Sequence, residues 1–129
     1  MVRSVRKDDR IMYDDVFERL GRSEFRSRFH LTQKDIDYID RVGFEKIESH
    51  AVDFVAKRLA PAHIPNDGRQ TPMRGHPVFV AQHACACCCR GCMYKWYRIP
   101  PDRELIDDEQ KTAVAILVEW IKREYGRLG

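Results

Sequence analysis

Twelve residues carry every thiol of this chain. The stretch AQHACACCCRGC, residues 81–92, holds all five cysteines together with His83. Three kinds of chemistry would gather thiols this way: a metal site, a redox or nucleophilic thiol, and disulfides. Cys89 and Cys92 form a C-x-x-C, the spacing by which a tight turn aims two sulfurs at one tetrahedral ion. Cys88, His83 and His76 lie close enough upstream to complete four nitrogen and sulfur ligands.

Geometry narrows the ligand set. If residues 77–97 were one straight helix, His76 and His83 would lie about 10 Å apart along its axis and could not readily share an ion. Either the helix breaks near Cys87–Gly91 or one of the two histidines is not a ligand. Gly91, inside the C-x-x-C, points to a turn there. His76, standing before Pro77, could equally be a helix N-cap. Zinc suits a mixed set of thiolates and imidazole, whereas iron–sulfur clusters usually take cysteine alone. A cluster stays constructible if Cys85 or Cys87 joins.

The other two chemistries fit less well. Five is an odd number of cysteines, and bonds within residues 85–92 would close trivial loops that stabilise little. A redox C-x-x-C with its thiolate beside Arg90 or Lys95 is constructible, but the βαβ pattern around a thioredoxin-like motif is missing. A Cys–His nucleophile would need an orienting partner and an oxyanion site, and the sequence identifies neither. As small buried hydrophobes, five cysteines in eight positions would be an unusual coincidence.

The elements that must position these residues are helical. A short helix is expected over about 14–20, with Gly21 as its stop. Thr32 with Asp35 forms a weaker version of the capping box, followed by Ile36, Ile39 and Val42. Phe44, Ile47, Ala51, Phe54, Val55 and Leu59 repeat at helical spacing up to Pro61. Residues 60–75 contain three prolines and two glycines, a long connection of the kind that is usually functional or disordered. Asp107 opens the last helix as a candidate N-cap, with Val114, Leu117, Val118, Trp120, Ile121 and Tyr125 facing the core. No strand alternation and no internal repeat appear. The expected fold is all-α or nearly so: one small helical domain over 13–129 behind a loose tail, 1–12, with a Cys/His-rich metal-binding knuckle at 76–97.

Composition sets the remaining bounds. The 129 residues are 43% hydrophobic and 33% charged, the balance of an ordinary globule large enough to bury a core. No apolar run reaches membrane-spanning length, and the N-terminus lacks the apolar core of a secretory signal, so the cytoplasm is the expected compartment. The net charge of +3 is uneven. Between Lys57 and Pro101 stand seven basic residues and the single acid Asp67, a local +6 that leaves −3 elsewhere. Such an excess could bind nucleic acid or another anion, or offset the charge of metal-bound thiolates.

SEFRSRFHL, AKRLAPA, NDGRQTPMRGHPVFVAQHACACCCRGC and KWYRIP resemble a small bacterial family known as a domain of unknown function, number four-one-eight-six. Its pattern reads H-P-V-F…A-Q-H-A-T-A-T-C-C-R-x-C-L…K-W-H-x-I-P. The resemblance places His76, His83, Cys88, Cys89, Arg90, Cys92 and Trp96 on matching positions. Cys85 and Cys87 stand where the pattern has threonine, and Tyr97 where it has histidine, so these three are not expected ligands. The resemblance implies no activity. The expected metal set is His76, His83, Cys88, Cys89 and Cys92, binding zinc or, as the alternative, an iron–sulfur cluster. Asn66, Asp67, Gln70, Arg74, Arg90 and Lys95 would form an adjoining anion or ligand pocket. Two other functions stay open: a nucleic-acid-binding module using the basic segment 57–98, and a metal- or thiol-dependent enzyme with its pocket in the 65–76 loop.

Overall fold

The structure, a computed structural model, describes residues 7–128. Six α-helices make it 66% helical, and no strand occurs among the described residues. They are α1 (Lys7–Gly21), α2 (Gln33–Val42), α3 (Phe44–Phe54), α4 (Pro77–Ala84), α5 (Arg90–Tyr97) and α6 (Asp107–Leu128). Helix α1 begins inside the stretch expected to be a tail. Residues 7–12 are charged and show no apolar period, so no pattern there signals their helicity.

The longest helix, α6, lies against both α3 and α4, and α2 packs on α3. Its Ala113, Val114, Ile116, Leu117, Val118 and Ile121 are buried, while Trp120 and Tyr125 pack at the margin. From α3 and its continuation, Ile47, Ala51, Val55 and Leu59 meet them. Truncating a fully buried Leu117 or Ile121 to alanine should cost about 2–5 kcal/mol. None of the helices is long and apolar enough to cross a membrane.

Local signals explain where most helices start. Thr32 and Asp35 form a full reciprocal capping box at α2, with each side chain bonded to the other's backbone N–H. At α6 the expected Asp107 cap is replaced. Asp107 is the first helical residue, and Glu109 reaches back to the Ile106 N–H at 3.0 Å. Helix α3 does not stop at Phe54 but loosens into a π-helical turn, Val55–Leu59, closed by Ala60 N–H donating to Val55 O at 2.9 Å. From Ala60 to His76 the chain has no helix, and this connection wraps over the cysteine segment.

Candidate metal centre

Two helices meet end to start at the cysteines. His76 is extended and accepts the Val78 N–H on Nδ1 at 3.0 Å, and Pro77 follows at the first helical position, where its missing N–H costs nothing. Helix α4 then runs to Ala84 and breaks. Ala86 adopts a left-handed φ of 58°, a conformation that alanine rarely takes, and α5 restarts at Arg90. The break therefore falls at 85–89, and Gly91, expected to mark it, lies inside α5.

The start of α5 is capped twice. Cys89, in extended conformation, is the N-cap, and its Sγ accepts the Cys92 N–H at 3.4 Å. From the 60–76 connection, the Asp67 carboxylate accepts the N–H groups of Arg90 at 2.9 Å and Gly91 at 3.1 Å. These donors have no partner inside the helix, and a carboxylate suits the positive end of its dipole. Thr71, from the same connection, donates its hydroxyl to Cys88 O at 2.8 Å.

This folding gathers the sulfurs of Cys88, Cys89 and Cys92 within 4.8 Å of one another. Cys88 and Cys89 are buried and Cys92 is half-buried. A guanidinium meets them from the other side. Buried Arg26, from the 3-10 turn after α1, donates to Cys92 Sγ at 3.0 Å, to Cys88 Sγ at 3.5 Å and to His83 O at 2.8 Å. The electrostatics follow. The Cys92 thiol is pulled far below its usual range by bonds from Cys88 and Cys89, with Arg26 adding to the effect. Cys89 is pushed up because its proton serves Cys88 and Cys92. Burial alone would lower Arg26, but its contacts with Cys88 and Cys92 outweigh that and raise it. These contacts favour the thiolate at Cys92, opposite the guanidinium.

His83 lies outside the 4.8 Å set and is linked to it through Arg26, which bonds both its carbonyl and two of the sulfurs. Its ring stacks on Phe29 at 5.3 Å, and its Nε2 lies 3.2 Å from Thr71 O. A carbonyl only accepts, so Nε2 carries the proton and Nδ1 keeps its lone pair. Nδ1 is buried and has no hydrogen-bond partner. A neutral imidazole whose other N–H is held by a backbone carbonyl is the form in which histidine binds a metal. Three soft sulfurs, with no carboxylate in the group, fit a thiophilic divalent ion.

The remaining expected residues lie elsewhere. His76 does not join the sulfurs. With Nδ1 accepting from Val78, its proton must sit on Nε2, which faces His50 Nδ1 at 2.8 Å. Both nitrogens are thereby committed. Cys85 and Cys87 are sealed in the core, where burial pushes Cys85 well above its usual value and Cys87 to about 12. Tyr97 donates its hydroxyl to Cys85 O.

Arg90 does not face an anion pocket. It is 2% exposed, and its guanidinium donates to the carbonyls of Leu59, Ala60, Pro61, Pro100 and Arg103. Asp67 caps α5, and Gln70 binds Asp67 Oδ1 at 2.8 Å and the Gly68 N–H at 2.7 Å. Asn66, Arg74 and Lys95 are exposed. The polar connection is thus largely a brace on the knuckle, and the local positive charge loses Arg90 as a surface group.

Arg26 is the residue of the candidate site that spacing did not reveal. It lies 66 residues from Cys92, and its one signal was its place in SEFRSRFHL. The profile of the family described as "Domain of unknown function (DUF4186)" matches residues 14–122, and the chain belongs to that family. No solved structure matches it.

Proposed function

We propose that this member of the family is a zinc-binding domain whose ion is held by Cys88, Cys89, Cys92 and His83. The observation that carries the reading is the gathering of three sulfurs within 4.8 Å, and the buried, partnerless Nδ1 of His83 supports it as the fourth ligand. Sulfurs bound to one tetrahedral zinc at about 2.3 Å stand about 3.8 Å apart, close to what these three offer. No iron of an iron–sulfur cluster binds three cysteines, so at least one of three cluster ligands stands further off, and the spacing favours a single ion.

Charge supports the same assignment. Three thiolates and a divalent ion leave one negative charge, and Arg26 faces it at 3.0 and 3.5 Å from two of the sulfurs. Hydrogen bonds to ligating sulfur tune a thiolate site in this way. When bound, zinc ties the end of α4 to the start of α5 and to the turn that carries Arg26. The ion is therefore structural on this reading, and its binding energy is folding energy. A reducing compartment such as the cytoplasm is the setting in which these thiols stay available.

Cobalt substitution tests the ligand set. The Co²⁺ protein should show strong visible bands of a tetrahedral ion and near-ultraviolet sulfur-to-cobalt charge transfer. In His83→Ala the charge transfer should persist while the visible bands shift and affinity falls. Unchanged visible bands in His83→Ala would remove His83 from the set, and absence of charge transfer in the unsubstituted protein would overturn the site.

A further inference from the structure

The three thiols differ in what they could do without an ion. Cys89 and Cys92 are the N-cap and third residue of α5, and the Cys92 N–H already points at Cys89 Sγ, 3.4 Å away. Residues so placed lie about one helical turn apart, near the separation of about 4.4–6.8 Å that a disulfide needs between Cα atoms. Cys88 precedes the cap, and its carbonyl is tied to Thr71 at 2.8 Å. Among the five cysteines, Cys92 alone is not buried. Its sulfur lies 3.0 Å from the Arg26 guanidinium, the kind of neighbour that favours the thiolate nucleophile.

We propose that Cys92 is a site of oxidation by hydroperoxides, hydrogen peroxide being the simplest, with Cys89 as its resolving thiol. The Cys92 thiolate attacks one peroxide oxygen. The S–O bond forms, the O–O bond breaks, and the departing hydroxide takes a proton to become water. Cys92 is then a sulfenic acid. Cys89 sulfur attacks the Cys92 sulfur, the S–S bond forms, and the hydroxyl leaves as a second water, taking the Cys89 proton in the free thiol or a solvent proton where Cys89 is a zinc thiolate. Two sulfurs have lost two electrons and the peroxide has gained them. An external dithiol reverses the step by exchange.

The consequence for the metal rests on the zinc reading above. A Cys89–Cys92 disulfide leaves Cys88 and His83, too few ligands for a tetrahedral ion, so oxidation should expel it. Cys85 and Cys87, sealed in the core, should not react.

Peptide mapping tests this, because trypsin cleaves after Arg74, Arg90 and Lys95. Residues 75–90, with Cys85, Cys87, Cys88 and Cys89, then separate from residues 91–95, with Cys92. The untagged, zinc-loaded full chain is treated with hydrogen peroxide, alkylated under denaturing conditions, digested and sequenced by mass spectrometry. A chromogenic chelator follows zinc. The expected product is the two peptides cross-linked through Cys89 and Cys92, with zinc released in step and both changes reversed by dithiothreitol. In Cys89→Ser the cross-link should be lost and Cys92 should go on to sulfinic acid. A cross-link through Cys88, Cys85 or Cys87, or a Cys92 alkylated as fully as before treatment, would overturn the proposal. A Cys89–Cys92 cross-link in a chain that takes up no zinc would refute the metal reading and uphold this one.

Discussion

Replacing Arg90 with methionine should destabilise the domain by about 3–4 kcal/mol. The side chain is 2% exposed and donates to five backbone carbonyls. Two of these, Leu59 O and Ala60 O, close the π-helical turn, where carbonyls have no helical partner. Ala60 O also accepts the Leu105 N–H at 2.9 Å, so it would keep a bond. Leu59 O, bonded to Arg90 at 3.0 Å in a buried setting, would be stranded, which costs about 1–3 kcal/mol. Pro61, Pro100 and Arg103 carbonyls lie nearer water and can recover part of their loss. Their charged bonds and the poorer fit of methionine bring the total to about 3–4 kcal/mol. Arg90→Lys keeps the charge but not the fork, and should lose about half as much. Urea unfolding monitored by circular dichroism measures both. A loss below about 1 kcal/mol for Arg90→Met would refute the clamp and return Arg90 to the surface anion pocket that the local charge first suggested.

Two further perturbations follow from the caps. Burial, followed by the neighbouring His50, holds His76 at about 4, below its ordinary 6.5. Between those values the unfolded chain binds more protons than the folded one. The stability that neutral His76 contributes is thus complete above about pH 6.5 and is lost as pH falls to about 4. His76→Asn keeps an N-cap acceptor and removes the titration, so the melting temperature should fall less across that window; an equal fall would contradict the assignment. Asp67→Ala should cost about 1–2 kcal/mol by freeing the Arg90 and Gly91 N–H groups, measured by urea unfolding, and an unchanged midpoint would show that Cys89 alone suffices as the cap.

The parts of the fold that sequence revealed are those set by local chemistry. Thr32 with Asp35, and the apolar stripe of α6, announce their helices because capping and burial depend on neighbours in the chain. The break between α4 and α5 is one of two alternatives that the spacing leaves open, near Cys87–Gly91, yet it centres on Ala86, whose left-handed backbone no residue type signals; Gly91 drew attention because glycine allows such a turn, not because one is there. His76 shows a different limit. A histidine before proline suits a metal ligand and an N-cap equally, and the hydrogen bonds to Val78 and His50 settle which. The roles of Arg26 and Arg90 lay beyond sequence reasoning. Their partners are up to 66 and 31 residues away, and a basic residue carries no mark of whether it faces water, a thiolate or a set of carbonyls.

The most direct test of the central claim is metal content. Untagged protein, purified without chelators, should carry about one zinc per chain by elemental analysis. Cys85→Thr and Cys87→Thr should keep it, since both sulfurs are sealed away from the trithiol group. Cys92→Ser should lose most of it and melt at a lower temperature. A metal-free wild-type chain that is fully folded would contradict the account, and so would a Cys87→Thr variant that loses its metal while Cys92→Ser retains it.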